Sequence, residues 1–319
     1  MTTLRVATYN LYLGADLTLI LGAQDPEHLT GQARLVQQQL HATDFPARAE
    51  AMARSLVRER VDVLGLQEVA RWSRAAPGPD GGPSEPTVWC DFLVEILGAL
   101  EQAGAAYDVH AVNDNFSGSA SISAAEAMSV LGSNVILVRR GSGVEVTGEA
   151  TGTYARTLDI ATGMDDLVLN VPRSWGCIEA RVGGAEFRFA NTHTEAYDAG
   201  SRNAQRDELL AELASPAGPG KPLVLVGDFN ATPDTVGMPP AYVDAWLAGG
   251  GDPGGGHTCG QAPDLTNPQS LLQERIDYVW VRDARVLSCK VVGVLEDERT
   301  TEANLWQSDH GCVVATVEL

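Results

Sequence analysis

The chain has 319 residues, 44% of them hydrophobic, and is therefore long enough to bury a substantial core. Its 42 acidic and 22 basic residues give a formal net charge of −20, which argues against tight, sequence-independent binding to a polyanion. The sequence has no run of about 20 apolar residues and so predicts no membrane-spanning helix.

The N-terminus and the cysteines bear on where the protein works. The opening stretch MTTLRVATYNLYL alternates like a strand from its start and lacks the apolar region and cleavage site of a signal peptide. The five cysteines are widely spaced and form no CxxC pair, which favours reduced, mostly buried thiols. We therefore expect a cytoplasmic protein, with secretion behind a removed leader as the open alternative, and we expect a monomer.

Helices and strands alternate through the first half of the chain. In the helix expected over 45–60, Asp44 or Thr43 can cap the start and Pro46 fits the first turn. The polar segment VNDNFSGSASISAAEAMS (112–129) is expected to form a loop at the rim of a site. In chain order, the predicted elements are a strand at 4–9, helices at 26–40 and 45–60, a short buried strand ending at Glu68, an exposed loop at 74–86, a helix at 91–103, and strands at 107–112 and 134–138.

Strands dominate the second half. The helix expected over 201–213 should turn four polar side chains toward solvent, those of Arg202, Gln205, Arg206 and Glu208. The Gly-rich stretch at 249–256 should wrap the rim of the site. The remaining predicted elements are strands at 144–146, 177–182, 186–191, 222–228, 276–281, 286–294 and 311–317. Because helices lie between strands and no repeat is visible, the pattern predicts one α/β sandwich domain spanning residues 1–319.

Polar clusters stand where six of the apolar runs begin or end. They contain Asn10, Glu68, His193, Asp228 with Asn230, Asp277, and Asp309 with His310. A fold that brings strand ends to one rim would gather these carboxylates, amides and imidazoles around a common point. Oxygen donors of this kind suit a hard cation such as Mg²⁺ or Mn²⁺, and paired histidines suit proton transfer.

The same motifs, in this order, resemble the endonuclease/exonuclease/phosphatase superfamily. They read TYN, LQEV, SNVILVRR, NTHTEA, VGDFNATP, RIDYV and SDHG, and they extend from Tyr9 to His310, nearly the whole chain. The resemblance implies a four-layer α/β/β/α sandwich, in which two packed, mainly antiparallel sheets are flanked by helices and the site lies at one edge of the sheets. It also implies a hydrolytic reaction at phosphorus.

The resemblance further implies a divalent metal ion, Mg²⁺ or Mn²⁺, with Glu68 as its first ligand. Asn10 and Asp309 would complete or extend the ligand set through carbonyl, carboxylate or water. The chemistry agrees with this assignment, because a cation must neutralise the phosphoryl oxygens before an attacking hydroxide can approach phosphorus.

Catalytic roles follow from the same resemblance. Asp228 would orient or deprotonate the attacking water, and Asn230 would donate a hydrogen bond to the phosphoryl oxygens. His310 would bind the phosphate or assist the water, while Asp277 accepts a hydrogen bond from its other ring nitrogen. His193 would lie near the leaving-group oxygen as a hydrogen-bond donor or acid.

Each of these residues also has a purely structural interpretation. Asn10 could cap the turn after the first strand, and Glu68 could be a solvated charge at a strand end. Asp228 and Asn230 could form an Asx-turn. The functional interpretation is favoured because all the motifs occur together in the order of the family.

Several functions remain open for such a site. The first is a phosphodiesterase acting on a small or specialised phosphoester, which fits the acidity of the chain. A nuclease acting on DNA or RNA would share the catalytic set, but the sequence has no Lys/Arg run that would indicate a basic groove. The segment NTHTEAYDAGSRNAQRDEL is similar to bacterial sphingomyelinases, and an inactive binding protein of the same fold is the remaining alternative. Trp306, close before Asp309, is a candidate wall of the substrate pocket.

Overall fold

A computed structural model describes residues 2–78, 84–161, 168–214 and 220–319. Its α-helices are α1 (Thr18–Leu21), α2 (Pro26–Ala42), α3 (Phe45–Glu59), α4 (Phe92–Gln102), α5 (Ala199–Ala214) and α6 (Ala245–Ala248). Its strands are β1 (Thr3–Asn10), β2 (Val63–Ala75), β3 (Thr87–Asp91), β4 (Tyr107–Ser121), β5 (Ala127–Arg139), β6 (Glu145–Thr153), β7 (Leu158–Ala161), β8 (Val168–Val171), β9 (Ser174–Val182), β10 (Ala185–His193), β11 (Leu223–Asp228), β12 (Val243–Asp244), β13 (Asp277–Arg282), β14 (Arg285–Val292) and β15 (Cys312–Glu318). A short 3-10 helix covers Glu296–Glu298. Within the described ranges, no helix is both long enough and apolar enough to cross a membrane.

The strands form two large sheets and a separate hairpin of β7 and β8. The first sheet has the order β14-β15-β1-β2-β5-β4, with β3 paired on β2, and the second sheet has the order β12-β13-β11-β10-β9-β6. Each large sheet has a parallel pair, β1 with β2 and β10 with β11, and the other pairings are antiparallel. Strands that run in parallel bring their carboxyl ends to the same edge of the sheet.

Three apolar clusters separate four layers of structure. The first packs α2, α3 and α4 on the outer face of the first sheet, the second lies between the sheets, and the third packs α5 on the outer face of the second sheet. Strand β1 illustrates the period of two, because Leu4 and Val6 point between the sheets while Ala7 and Tyr9 face the helices. The predicted α/β/β/α sandwich with mainly antiparallel sheets is confirmed.

The helices predicted over 45–60 and 201–213 are both present. The helix predicted over 45–60 forms as α3, and the Asp44 carboxylate caps it by accepting a hydrogen bond from the backbone nitrogen of Ala47 at 3.4 Å. The helix predicted over 201–213 forms as α5, but Gln205 is buried and does not face solvent. Its amide binds the backbone nitrogen of Glu195 and the backbone oxygen of Arg156, each at 2.8 Å.

The segment 112–129 was predicted as a loop, and this is wrong: it forms the distal half of a long β4–β5 hairpin. Small polar residues alternate there with Phe116, Ala120 and Met128, which belong to the first apolar cluster or pack against it. Backbone pairing supplies the hydrogen bonds that the short side chains do not. Strand β2 likewise runs on to Ala75, and the rest of the loop predicted over 74–86 lies in part outside the described residues, at 79–83.

The Gly-rich stretch at 249–256, which was expected to wrap the rim of the site, does not line it. It folds over Trp246, whose Nε1 donates a hydrogen bond to the backbone oxygen of Asp252 at 2.8 Å. A Cβ on Gly251 or Gly256 would lie 2.3 or 2.5 Å from the indole ring, so the glycines allow the backbone to close on this side chain.

A buried polar contact joins the two sheets close to the edge where the predicted site residues lie. Asn191 on β10 donates from Nδ2 to the backbone oxygens of Leu66 at 2.9 Å and Val135 at 3.1 Å in the first sheet. Its Oδ1 accepts a hydrogen bond from Gln67 Nε2 at 2.6 Å. We call these four residues the inter-sheet clamp. Gly65 makes room for it, because a Cβ there would lie 2.8 Å from Asn191 Oδ1.

Substitution Gly65→Ala should destabilise the protein, because the added methyl would also meet a methyl of Val226 at 2.6 Å. Overpacking of this kind costs about 1–3 kcal/mol. Urea denaturation of both proteins measures the change in the free energy of unfolding. Gly31→Ala on α2 is the matched control, since a Cβ there meets nothing within 4 Å and should stabilise the helix by about 0.5–1 kcal/mol. Equal midpoints for Gly65→Ala and wild type would contradict the close packing of the sheets.

Candidate functional site

The predicted site residues come together at one edge of the two sheets. In the second sheet the strand register sets their positions, because His193 pairs with Asp228 across β10 and β11, and Asp228 pairs with Asp277 across β11 and β13. The first sheet contributes its own group at this edge: Asn10, Glu68, Asp309 and His310. Most of the set lines one cavity, namely Glu68, His193, Asp228, Asn230, Asp309 and His310.

The direction of the Glu68 side chain depends on a break in β2. The pairing of β2 with β5 shifts between Leu66 and Val69, and Glu68 adopts a left-handed backbone with φ 53°. Such a bulge re-aims a side chain, and a left-handed conformation at a residue other than glycine costs on the order of 1–3 kcal/mol. As a result the carboxylate faces the cavity, and the strand resumes beyond Glu68 where the sequence predicts its end.

Asn10 lies fully buried behind Glu68. Its Nδ2 donates to Glu68 Oε1 at 3.1 Å and to Asp228 Oδ2 at 3.0 Å, and its Oδ1 accepts from the backbone nitrogen of Tyr12 at 2.9 Å. Because the amide nitrogen faces the two carboxylates and the oxygen faces the backbone, Asn10 aligns the carboxylates and does not turn an oxygen toward the cavity. The expectation that Asn10 is a metal ligand therefore changes to that of an orienting residue.

Asp228 stands at the centre of the cluster. Its Oδ1 accepts a hydrogen bond from the backbone nitrogen of Asn230 at 2.8 Å, and its Oδ2 lies 3.5 Å from His193 Nε2 and 3.8 Å from His310 Nε2. Burial, followed by the negative charge of Asp277, raises the pKa of Asp228 to about 7. A carboxylate with this pKa can exchange a proton near neutral pH.

Asn230 follows Asp228 in an Asx-turn, so the structural interpretation of this pair holds alongside any functional one. Its backbone is left-handed with φ 46°, a conformation that asparagine tolerates better than most residues. Its Nδ2 donates to the backbone oxygen of Thr194 at 2.9 Å. An amide nitrogen carries two hydrogens, so Asn230 can keep this bond and still donate to a ligand in the cavity.

The two histidines have opposite charge tendencies. Burial alone would lower the pKa of His310, but the charge of Asp277, whose Oδ2 lies 2.7 Å from His310 Nδ1, leads the effects that raise it well above its ordinary value. Burial, followed by the positive charges of Arg173 and His310, lowers the pKa of His193. At neutral pH, therefore, His310 is a cation that can bind an anion and His193 is a neutral hydrogen-bonding group.

The negative charge of Glu68 affects the neighbouring acidic residue Asp309. Desolvation and the negative charge of Glu68 raise the pKa of Asp309 to about 6, although the charge of His310 offsets part of the rise. Both carboxylates line the same cavity, where their negative charges repel each other. A divalent cation would relieve this repulsion and restore both charges, so the oxygen donors present fit a hard metal ion.

A second group of side chains has the spacing of a metal site. Asp228, Asp277 and His310 offer ligand atoms that all lie within 4.8 Å of one another. However, His310 Nδ1 and Asp277 Oδ2 already share a hydrogen bond, and a cation placed among them would compete with it. Glu68 and Asp309 can offer oxygens to a cation without breaking that bond.

Arg173 is a site residue that the sequence analysis missed. Its guanidinium lines the cavity, with Nη1 3.3 Å from His193 Nε2 and Nε 3.4 Å from Glu195 Oε2. Among the described residues that line the cavity, it is the one lysine or arginine. Its position next to an apolar run could have indicated a site residue, because Arg173 directly precedes strand β9. The first residue of that strand, Ser174, pairs with His193.

Arg48 supports the site from beneath and was also missed. This fully buried guanidinium donates to the backbone oxygens of Leu11 at 2.7 Å, Gln307 at 2.9 Å, Tyr12 at 3.1 Å and Thr43 at 2.8 Å. It thereby ties the end of β1 to the segment that precedes Asp309 and His310. Burial lowers its pKa to about 10, which still leaves it charged at neutral pH.

Trp306 is not a pocket wall. It is buried, its Nε1 donates to the backbone oxygen of Asn267 at 2.9 Å, and the guanidinium carbon of Arg299 lies 3.9 Å from its ring centre. The tryptophan is thus part of a small core with Tyr12 and Leu265.

Known structures resemble this chain along its whole length. Truncated Caenorhabditis elegans TDP2 is 18% identical with a TM-score of 0.59, covering 99% of this chain and 98% of its own. The Bacteroides thetaiotaomicron mannosyl-6-phosphatase is 18% identical with a TM-score of 0.61, covering 99% of this chain and 100% of its own. D. rerio TDP2, complexed with a single-strand DNA product, is 13% identical with a TM-score of 0.60 and covers 100% of both chains. No curated protein matches the chain significantly.

The fold and the acidic site at the strand ends define an α/β-sandwich hydrolase of phosphoric esters. The sequence profile described as "Endonuclease/Exonuclease/phosphatase family" matches residues 7–310. The chain belongs to this family, as the motif order predicts.

Substitution Arg48→Lys should weaken both stability and activity, because an ammonium group cannot reproduce the planar fork that binds several carbonyls. We expect a loss of about 2–3 kcal/mol in the free energy of unfolding, from the hydrogen bonds to a charged donor that are lost. Urea denaturation and the specific activity of the folded fraction measure the two effects. Arg54→Lys on the same helix is the control, since its side chain makes a 3.4 Å contact with the backbone oxygen of Arg299. Equal losses in the two variants would contradict a special role for Arg48.

Proposed function

We propose that this chain is a phosphodiesterase dependent on Mg²⁺ or Mn²⁺ that hydrolyses a small or specialised phosphoester. The observation that carries the proposal is the single cavity edge at which Asp228, with its raised pKa, meets the cationic His310 and the paired carboxylates of Glu68 and Asp309. These groups supply a base, an anion-binding cation and a metal-binding pair within one site.

Glu68 and Asp309 would hold the metal ion, and Asn10 would keep Glu68 and Asp228 aligned. The chemistry supplied by such an ion is neutralisation of the phosphoryl oxygens and activation of water. Oxygen donors favour Mg²⁺ or Mn²⁺ over softer metals. Asp228 and His310 would not bind the metal ion and would remain free to act on the water and the phosphate.

The protein residues would carry out the remaining steps. Asp228 would accept a proton from the attacking water while the water oxygen forms a bond to phosphorus. The P–O bond to the leaving alcohol then breaks. His310, held by Asp277, binds a phosphoryl oxygen, and Asn230 donates to another. His193 lies beside Asp228 and would hydrogen-bond to the leaving oxygen. The departing alkoxide takes a proton from solvent, and Asp228 returns to solvent the proton that it accepted from the attacking water. The products are a phosphomonoester and an alcohol.

A small substrate is favoured over a nucleic acid. One similar structure is that of D. rerio TDP2 complexed with a single-strand DNA product. In this chain the described part of the cavity presents Arg173 as its one lysine or arginine, and the formal net charge is −20. A strand of several phosphates would require more cationic contacts than this.

We further propose that residues 1–319 act as one catalytic domain and as a monomer in the cytoplasm. The site draws on residues from Asn10 to His310, so it needs nearly the whole chain and no second copy. All five cysteines are free thiols, which suits a reducing compartment.

Metal dependence is tested with bis-p-nitrophenyl phosphate as a generic diester and p-nitrophenyl phosphate as the monoester. We expect turnover of the diester with Mg²⁺ or Mn²⁺ and loss of turnover with EDTA. Asp228→Asn should lower kcat by about 10²- to 10⁴-fold at saturating metal, because the base is lost. Glu68→Gln should instead raise the metal concentration required for half-maximal rate.

The control for these variants is Glu101→Gln, an exposed carboxylate on α4. It should leave both readouts within twofold of wild type. Undiminished turnover in EDTA, or full activity of Asp228→Asn, would refute the proposed mechanism. Faster cleavage of the monoester than of the diester would show that the protein is a phosphomonoesterase and not a phosphodiesterase.

Arg173 should contribute to binding of the phosphate. A hydrogen bond to a charged group is worth about 1.5–3 kcal/mol, so Arg173→Met should lower kcat/KM by about 10- to 100-fold and raise the inhibition constant of inorganic phosphate. Arg202→Met is the matched control, because Arg202 binds the backbone oxygen of Glu195 at 3.0 Å but does not line the cavity. An unchanged phosphate inhibition constant in Arg173→Met would show that this guanidinium serves only to hold Glu195.

A further inference from the structure

The cavity beside the acidic cluster is lined by two chemically different sets of side chains, which we call its polar and apolar halves. Its volume is about 490 Å³, within the range of pockets that enclose a whole small ligand. One half carries the carboxylates, the histidines and Arg173 described above. The other half is mainly apolar, with a few small polar residues from the β4–β5 hairpin. Segment 17–21 around α1, the β4–β5 hairpin and strand β8 contribute to it through Leu17, Ile20, Leu21, Phe116, Val130 and Leu169.

The apolar half is the wall of a partly open cavity and not a flat exposed patch. Ile20, Phe116 and Leu169 are half-buried, and Val130 is buried. Their side chains face the same space as Glu68 and Asp309. A ligand group that covers half-buried aliphatic side chains releases water from both surfaces, and this favours binding in proportion to the apolar area covered.

The charge of the cavity limits the polar part of the ligand. Its described lining holds four carboxylates, those of Asp16, Glu68, Asp228 and Asp309, against the single guanidinium of Arg173. A metal ion and His310 would add enough positive charge for one phosphate group. Further phosphates would face uncompensated carboxylates.

From these two halves we propose that the substrate is an amphipathic phosphoester: one phosphate bearing an alkyl or acyl chain that enters the apolar half of the cavity. This inference rests on the proposed function and adds the class of substrate. The aliphatic character of Leu17, Ile20 and Leu21 suits a flexible chain better than a nucleobase, whose polar edge needs hydrogen-bonding partners. Because the apolar wall lines a cavity and not a flat surface, we expect the chain to enter from a single molecule in solution.

A series of alkyl p-nitrophenyl phosphates with methyl, butyl and hexyl chains tests the proposal. Burial of a methylene is worth up to about fourfold in kcat/KM, so we expect a rise of about two- to fourfold per methylene in wild type. Rates that are flat or fall along the series would overturn the assignment while leaving the phosphodiesterase itself intact.

Variants of the apolar wall give the second arm. Phe116→Ser and Ile20→Ser, made separately on the hairpin and on α1, should each reduce the hexyl-to-methyl ratio of kcat/KM by about tenfold. Val112→Ser on the same strand as Phe116 is the control, because Val112 is exposed and does not line the cavity. A hexyl-to-methyl ratio that is unchanged in both wall variants, or lowered equally by Val112→Ser, would overturn the proposal.

Two further measurements separate this inference from the proposed function. Calorimetry of hexyl phosphate and methyl phosphate with the Mg²⁺-loaded protein requires no turnover, and tighter binding of the hexyl compound supports the apolar subsite even if no ester is cleaved. Equal affinities would overturn it. Dihexanoylphosphatidylcholine, supplied as monomers, should be cleaved faster than long-chain phosphatidylcholine in vesicles. Faster cleavage of the vesicles would show that the protein acts at a lipid surface and does not take its substrate from solution.

Discussion

The candidate site depends on a fixed alignment of the two large sheets, and the inter-sheet clamp provides this alignment. Neither sheet contains a complete site: Glu68 lies on β2 of the first sheet and Asp309 shortly before its strand β15, whereas His193 and Asp228 lie on strands of the second. An apolar interface alone would leave sliding of one sheet over the other weakly opposed, because hydrophobic contact is not directional. The amide of Asn191 adds direction, since its hydrogen bonds to the backbone of the first sheet are satisfied in one alignment.

Much of this arrangement is readable in the sequence, and the reason is physical. A buried strand requires a run of β-branched and aliphatic residues, so a carboxylate or imidazole at the end of such a run is conspicuous. Asp228 and His310 are visible for this reason. Arg173 stands beside a strand in the same way, but an arginine near a strand end is common on protein surfaces, and its inward direction depends on Glu195 and His193, which are distant in the chain.

Other features could not be predicted because they depend on backbone geometry or on contacts between distant segments. The left-handed backbone of Glu68 follows from the register shift against β5, and no local signal marks it. Arg48 reads as an ordinary charge on an amphipathic helix, yet it lies beneath carbonyls from both ends of the chain. The hairpin at 112–129 could not be predicted, because small polar residues favour loops unless a partner strand pairs with them.

The β4–β5 hairpin and α1 have a consequence for how this protein could change over time. They contribute to the apolar wall of the cavity, whereas the reacting groups stand on other elements around the sheet edge. Mutations in these two peripheral segments could therefore reshape what the pocket accepts without disturbing the machinery that breaks the bond. Divergence toward new metabolites would begin there, and a library randomised at these positions offers the same route to an engineer.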